Sequence, residues 1–139
     1  METPDPKEAA QAGRVIQGLR FLAPGEALEA LRRGALLVDL RMDELVAMKA
    51  FDVPEQIHIC HSDLAGHLAG IPRDRLLILA DSSGVYTKAA AATLRAAGIE
   101  RIACLNGGML AWDDAGLPLA TDPAALLYGA CPCVLKPRN

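Results

Sequence analysis

Three short apolar runs constrain this chain more than any other feature: Ala35 to Leu40, broken only by Asp39, then Leu76 to Ala80, then Ile102 to Leu105. Each is too short for a buried helix and is bounded by turn residues, so each reads as a strand covered on both faces. Between them lie helical stretches. Pro24-Gly25-Glu26 opens one in which Leu28 and Leu31 share a face and Gly34 ends the run. Met42 to Lys49 returns to helical spacing, and Thr87 to Ala97 is an Ala-rich helix closed by Gly98. Buried strands alternating with helices predict βαβ units, hence a mostly parallel central sheet flanked by helices on both faces.

Smaller elements fill the remainder. Pro6 to Gln17 reads as a helix, Phe21 to Ala23 as a short edge strand, and Val53 with Ile57 to Ile59 as another strand. Asp63 to Leu68 and Met109 to Ala115 read as short helices, and the chain from Gly116 as an irregular tail. The resulting division is an N-terminal helical extension (1–20), an α/β domain (21–119) and a C-terminal tail (120–139).

The 139 residues fit one core, and 52% hydrophobic against 22% charged residues is ample to build it. Aromatics are only 4%, so Leu, Ile, Val and Ala must fill that core. The formal charge of −3 comes without a basic stripe, which gives nucleic acid no electrostatic footprint. The apolar runs are too short to span a bilayer, and Met1 to Ala10 is unlike a secretory signal. A cytoplasmic location away from membranes is the expectation.

In open parallel sheets, ligands sit beyond the carboxyl ends of the strands. That singles out the turn after Ala80: Asp81, Ser82, Ser83, Gly84, Val85, Tyr86 and Thr87, leading into the Ala-rich helix. Loop N–H groups converging there, with a helix N-terminus behind them, make an anion-binding concavity.

Over roughly Phe21 to Leu119 the chain resembles a rhodanese-like domain of the sulfurtransferase superfamily. Val38-Asp39-Leu40-Arg41 with Glu44 is similar to that family's strand ending in Asp-Val-Arg with a glutamate beyond it. Leu105-Asn106-Gly107-Gly108-Met109-Leu110-Ala111-Trp112, then Gly116-Leu117-Pro118, matches the closing Leu-x-Gly-Gly-x-x-Ala-Trp…Gly-x-Pro pattern. The family's Gly-His-Ile-Pro-Gly-Ala is replaced by Phe51-Asp52-Val53-Pro54-Glu55-Gln56. The resemblance implies structural roles for Asp39, Arg41, Gly107, Gly108 and Trp112.

It also implies that Asp81 stands where active members keep a cysteine, with Tyr86 and Thr87 where they carry Arg and Ser. Sulfur transfer needs a thiolate to take a sulfane sulfur as a persulfide, and a carboxylate cannot hold it that way. Its charge instead invites the loop's own N–H groups, plugging the anion site. The expected function is a domain silent at this loop, serving as a binding or regulatory module for a protein partner or a small anionic or sulfur-containing ligand. No cofactor is expected, and the reading leans away from an enzyme. The alternative is a sulfurtransferase or sulfur carrier using Cys131 or Cys133 of the Cys-Pro-Cys tail.

Cys104, in an apolar run, reads as an inert buried thiol. His58, Cys60 and His61 form a His-Ile-Cys-His cluster whose nitrogen and sulfur donors suit zinc or copper. Its spacing matches no defined zinc motif, and the ordinary reading is a half-buried strand followed by a turn.

Overall fold

A computed structural model describes residues 13–16 and 18–121. Its main sheet has six strands in the order β1-β2-β7-β6-β3-β5. These are β1 (Arg14–Ile16), β2 (Leu19–Leu22), β3 (Leu36–Asp39), β5 (Gln56–His58), β6 (Leu77–Ala80) and β7 (Ile102–Leu105). Only β1 runs antiparallel to its neighbour; β2, β7, β6, β3 and β5 are mutually parallel. A separate antiparallel pair joins β4 (Lys49–Phe51) to β8 (Leu119–Thr121). The helices are α1 (Pro24–Arg32), α2 (Asp43–Met48), a 3-10 helix (His61–Gly70), α3 (Thr87–Ala96) and α4 (Gly108–Asp114).

The three apolar runs become β3, β6 and β7 at the centre, with every residue buried. Alternate residues serve opposite faces, as the strand period requires. Leu37, Ile78, Ala103 and Leu105 pack against α1 and against Phe51, Met109 and Trp112. Leu36, Val38, Leu77, Leu79 and Cys104 meet α3 through Ala90, Ala91 and Leu94, and the 3-10 helix through Leu64. The α/β fold with a mostly parallel, two-sided sheet is therefore present. Among the described residues, no helix is long and apolar enough to cross a membrane.

Four expectations need correction. Arg14–Ile16, read as the end of a helix, is a strand: Gly18, at φ +78, turns the chain so that Val15 and Ile16 pair with Arg20 and Leu19. The rest of that predicted helix lies outside the described residues. The segment read as an edge strand, Phe21 to Ala23, belongs to β2, which starts two residues earlier, ends one residue earlier, and lies between β1 and β7. Lys49, read as a helix end, opens β4, because Phe51 turns inward to the core. The segment after Gly116 is not irregular throughout, since Leu119–Thr121 pairs with β4.

A buried ion pair fixes the turn after β3. Asp39 and Arg41 are 0% and 5% exposed, and Arg41 donates from Nε and Nη2 to the two Asp39 carboxylate oxygens at 2.9 and 2.8 Å. The Arg41 backbone N–H also donates to Asp39 Oδ1. The guanidinium lies 5.2 Å from the Phe51 ring centroid, and Phe51 meets Trp112 edge-to-face, also at 5.2 Å. Trp112 Nε1 donates to the Pro118 carbonyl at 2.8 Å, which fastens the segment leading to β8. One chain of contacts thus links the β3 turn to the closing strand.

Removing one partner of a buried pair strands the other charge, at a cost of about 3–5 kcal/mol. Arg41→Met should lose stability on that scale in urea unfolding. The double variant Asp39→Val/Arg41→Met should lose distinctly less, since no buried charge is then left alone. Equal losses would show that the pair acts through shape and not charge.

Candidate functional site

The carboxyl ends of β3, β6 and β7 meet at one end of the sheet, where Asp39 stands beside Ala80 and Leu79 beside Cys104. The loop after β6 begins with Asp81, which is 1% exposed. Its two carboxylate oxygens are divided between two loop donors. Oδ1 accepts the Gly84 N–H, and Oδ2 accepts the Tyr86 N–H at 2.5 Å. Gly84 takes φ +99, which lets the loop curl back on its first residue. Tyr86 directly precedes α3, so the carboxylate ties down the backbone where that helix begins.

The outer backbone of the loop is held by α4. Met109 donates to the Asp81 carbonyl at 2.8 Å and Leu110 to the Ser82 carbonyl at 3.0 Å. Two of the helix's otherwise unpaired first N–H groups are satisfied in this way. The approach requires Gly108: at φ +61, a Cβ there would come within 2.4 Å of the Asp81 carbonyl oxygen. Ser82, Ser83, Val85 and Tyr86 remain exposed, whereas Thr87 is buried. Thr87 Oγ1 has no hydrogen-bond partner.

Tyr86 stacks on His61, the first residue of the 3-10 helix, with centroids 3.7 Å apart and planes 9° off parallel. They border a recess of about 120 Å³ over Leu64, Ala89 and Ala90. Nothing in the sequence points to this pair, which the fold brings together from separate elements.

The His58 to His61 cluster does not converge. His58 Nε2 is hydrogen-bonded to the Arg41 carbonyl at 2.7 Å and lies 3.6 Å from Asp43. Cys60 Sγ lies 3.4 Å from Ser62 Oγ, and His61 faces Tyr86. Among the described residues, no group of three or more His, Cys, Asp or Glu is placed to hold a metal ion. Cys131 and Cys133 lie outside the described residues. Cys104 is fully buried, and burial pushes its thiol up from 9.0 to about 11, which makes it a poor nucleophile.

The family described as "Rhodanese-like domain" matches residues 23–115. A protein named "Sulfurtransferase" from Allochromatium vinosum is 31% identical over 84 residues, spanning 60% of this chain and 77% of that protein. The "Thiosulfate sulfurtransferase GlpE" of Pseudomonas savastanoi pv. phaseolicola is 29% identical over 90 residues, covering 64% and 83%. Among solved structures, a rhodanese-related protein from Thermoplasma volcanium superposes with a TM-score of 0.67 at 20% identity, over 74% of this chain and 99% of that one. A rhodanese-like domain protein from Staphylococcus aureus gives 0.63 at 25% identity, over 72% and 97%. The chain belongs to the rhodanese-like domain family, within the sulfurtransferase superfamily.

Two measurements check this geometry. Gly108→Ala adds a steric overlap to a strained φ and should cost at least about 2 kcal/mol in urea unfolding. Gly116→Ala, with a similar φ of +73 but open space around it, should cost only about 1 kcal/mol. For Cys104, the raised thiol pKa means that the folded state holds its proton longer than the unfolded chain. The stability tied to that proton is intact below pH 9 and is lost as pH rises toward 11. Between those values the parent should lose roughly 2 kcal/mol more than Cys104→Ala. Parallel pH profiles would contradict the assignment.

Proposed function

We propose that this rhodanese-family domain does not transfer sulfur through its β6–α3 loop and serves as a binding module, with Asp81 standing where sulfur-transferring members carry their cysteine. One observation carries the reading: the Asp81 carboxylate is buried and itself accepts the loop N–H groups of Gly84 and Tyr86. In sulfur transfer, a thiolate attacks the outer sulfur of thiosulfate, expels sulfite and keeps a persulfide. A carboxylate oxygen has no comparable affinity for sulfane sulfur. Two donors suited to a developing negative charge are also already taken.

The matched relatives bear sulfurtransferase names. On the proposed reading, this chain differs from them in the group offered at the first position of the β6–α3 loop. With those donors engaged, a small anion has less to bind, and a protein partner becomes the favoured occupant of this end. Transfer through Cys131 or Cys133 is the rival reading, and both residues lie outside the described part of the chain.

The test is sulfur loading of the fully reduced chain with thiosulfate or a persulfide donor, read by intact mass and peptide mapping. No sulfur should be gained. Asp81→Cys should gain one sulfur at position 81, released by cyanide as thiocyanate. Loading of the parent at Cys131 or Cys133 would overturn the reading in favour of a carrier. A folded Asp81→Cys variant that takes up no sulfur would show that the carboxylate is not what silences the loop.

A further inference from the structure

Seven large hydrophobic residues are exposed among the described residues, and two of them, Val15 and Ile16, belong to β1. The other five gather at the end of the sheet that carries the Asp81 loop. Met42 and Leu45 lie at the start of α2, directly after the β3 turn; Val85 and Tyr86 are in the loop; Leu110 is on α4. They are between 42% and 69% exposed. Backbone hydrogen bonds tie these segments to the loop. Leu110 donates its N–H to the Ser82 carbonyl, and Leu40, two residues before Met42, donates to the Ala80 carbonyl. Scattered single apolar residues need no explanation, but five on the segments that follow β3, β6 and β7 at one sheet end are the kind of concentration that marks an interaction surface.

The charges beside the patch are sorted. Asp43 and Glu44 are exposed between Met42 and Leu45, and Asp63 is exposed near the start of the 3-10 helix. Asp43 has a side chain 89% exposed, with the imidazole of His58 3.6 Å away. Of the cations flanking α2, Arg41 is buried against Asp39 and Lys49 is paired with Asp113, while Lys88 and Arg14 sit on α3 and β1. The α2 side of the patch is therefore apolar and acidic at once. An acidic surface with its oxyanion donors engaged disfavours anionic partners and favours cationic ones.

We infer that this end of the domain binds a protein segment presenting a Leu- or Phe-sized side chain with Lys or Arg beside it. The apolar anchor would cover Met42, Leu45, Val85 and Leu110, while the basic residue meets Asp43 and Glu44. The inference rests on the binding reading above and names the chemistry of the partner.

The test pans a random peptide display library against the intact chain. Recovered peptides should combine Leu, Phe or Met with Lys or Arg, and their binding should weaken in high salt. Leu45→Asp and Leu110→Asp should each reduce affinity about tenfold or more. Asp43→Lys/Glu44→Lys should reduce it as well, whereas Val15→Asp on β1 should not. These positions are exposed, and a thermal melt checks that each variant folds. Recovery of acidic peptides, or of none, would overturn the inference. So would binding that survives the site-end substitutions but fails in Val15→Asp. Concentration-dependent self-association abolished by Leu110→Asp would assign the patch to a second copy instead. None of these outcomes touches the sulfur-loading result, so the two readings fail separately.

Discussion

Three strands without a wet face govern everything else in this molecule. Because β3, β6 and β7 are buried on both sides, their backbone groups must be paired within the sheet. Parallel pairing supplies the partners but needs helical crossovers, and these cover the two faces with α1 and α4 on one side and α3 and the 3-10 helix on the other. All the turns that follow the strands are thereby delivered to one end. The Asp39–Arg41 pair, the Asp81 loop and the Gly107-Gly108 helix start are neighbours for that reason, although the chain separates them widely.

Within that end, each turn is held by a different device. After β3 the device is charge, a bidentate pair shielded from water. After β6 it is a carboxylate accepting loop N–H groups. After β7 it is the absence of a side chain, which lets the first turn of α4 donate to the loop backbone. The three are not independent. A shift of α4 would release the Asp81 and Ser82 carbonyls, and would also move Trp112 away from Phe51 and the Pro118 carbonyl.

The central strands were legible because an apolar run bounded by turn residues has one economical use. Their helices were legible from Ala and Leu spacing and from Gly34 and Gly98. The edges were not. Arg14-Val15-Ile16 carries no buried residue, so periodicity has nothing to report, and its strand character comes from the β2 partner alone. Leu119–Thr121 is a strand only because Lys49–Phe51 lies alongside, some seventy residues away. At the site, Gly107-Gly108 and Asp81 stood out through the resemblance to the rhodanese pattern, which fixes their places in the chain. The His61–Tyr86 stack did not, because two ordinary side chains acquire meaning only through contact. The His58, Cys60 and His61 donors gave the opposite lesson: adjacency in sequence ended in three different directions.

What a loop of converging N–H groups does depends on the reach of the side chain at its first residue. A carboxylate has two oxygens spread widely enough for Gly84 and Tyr86 to be satisfied separately, and both donors turn inward. A thiolate at such a place offers one larger, softer acceptor with longer contacts, leaving donor capacity for an incoming anion. The backbone need not differ between the two cases, so the fold tolerates either. On the proposed reading, the outer residues of this internally satisfied loop serve a protein partner and not a small ligand. Val85 and Tyr86 can then face solvent as apolar surface beside Leu110, which the loop itself holds in place through the Ser82 carbonyl. On the proposed reading, the sulfur chemistry closed off at Asp81 and the binding surface around it are two consequences of one carboxylate.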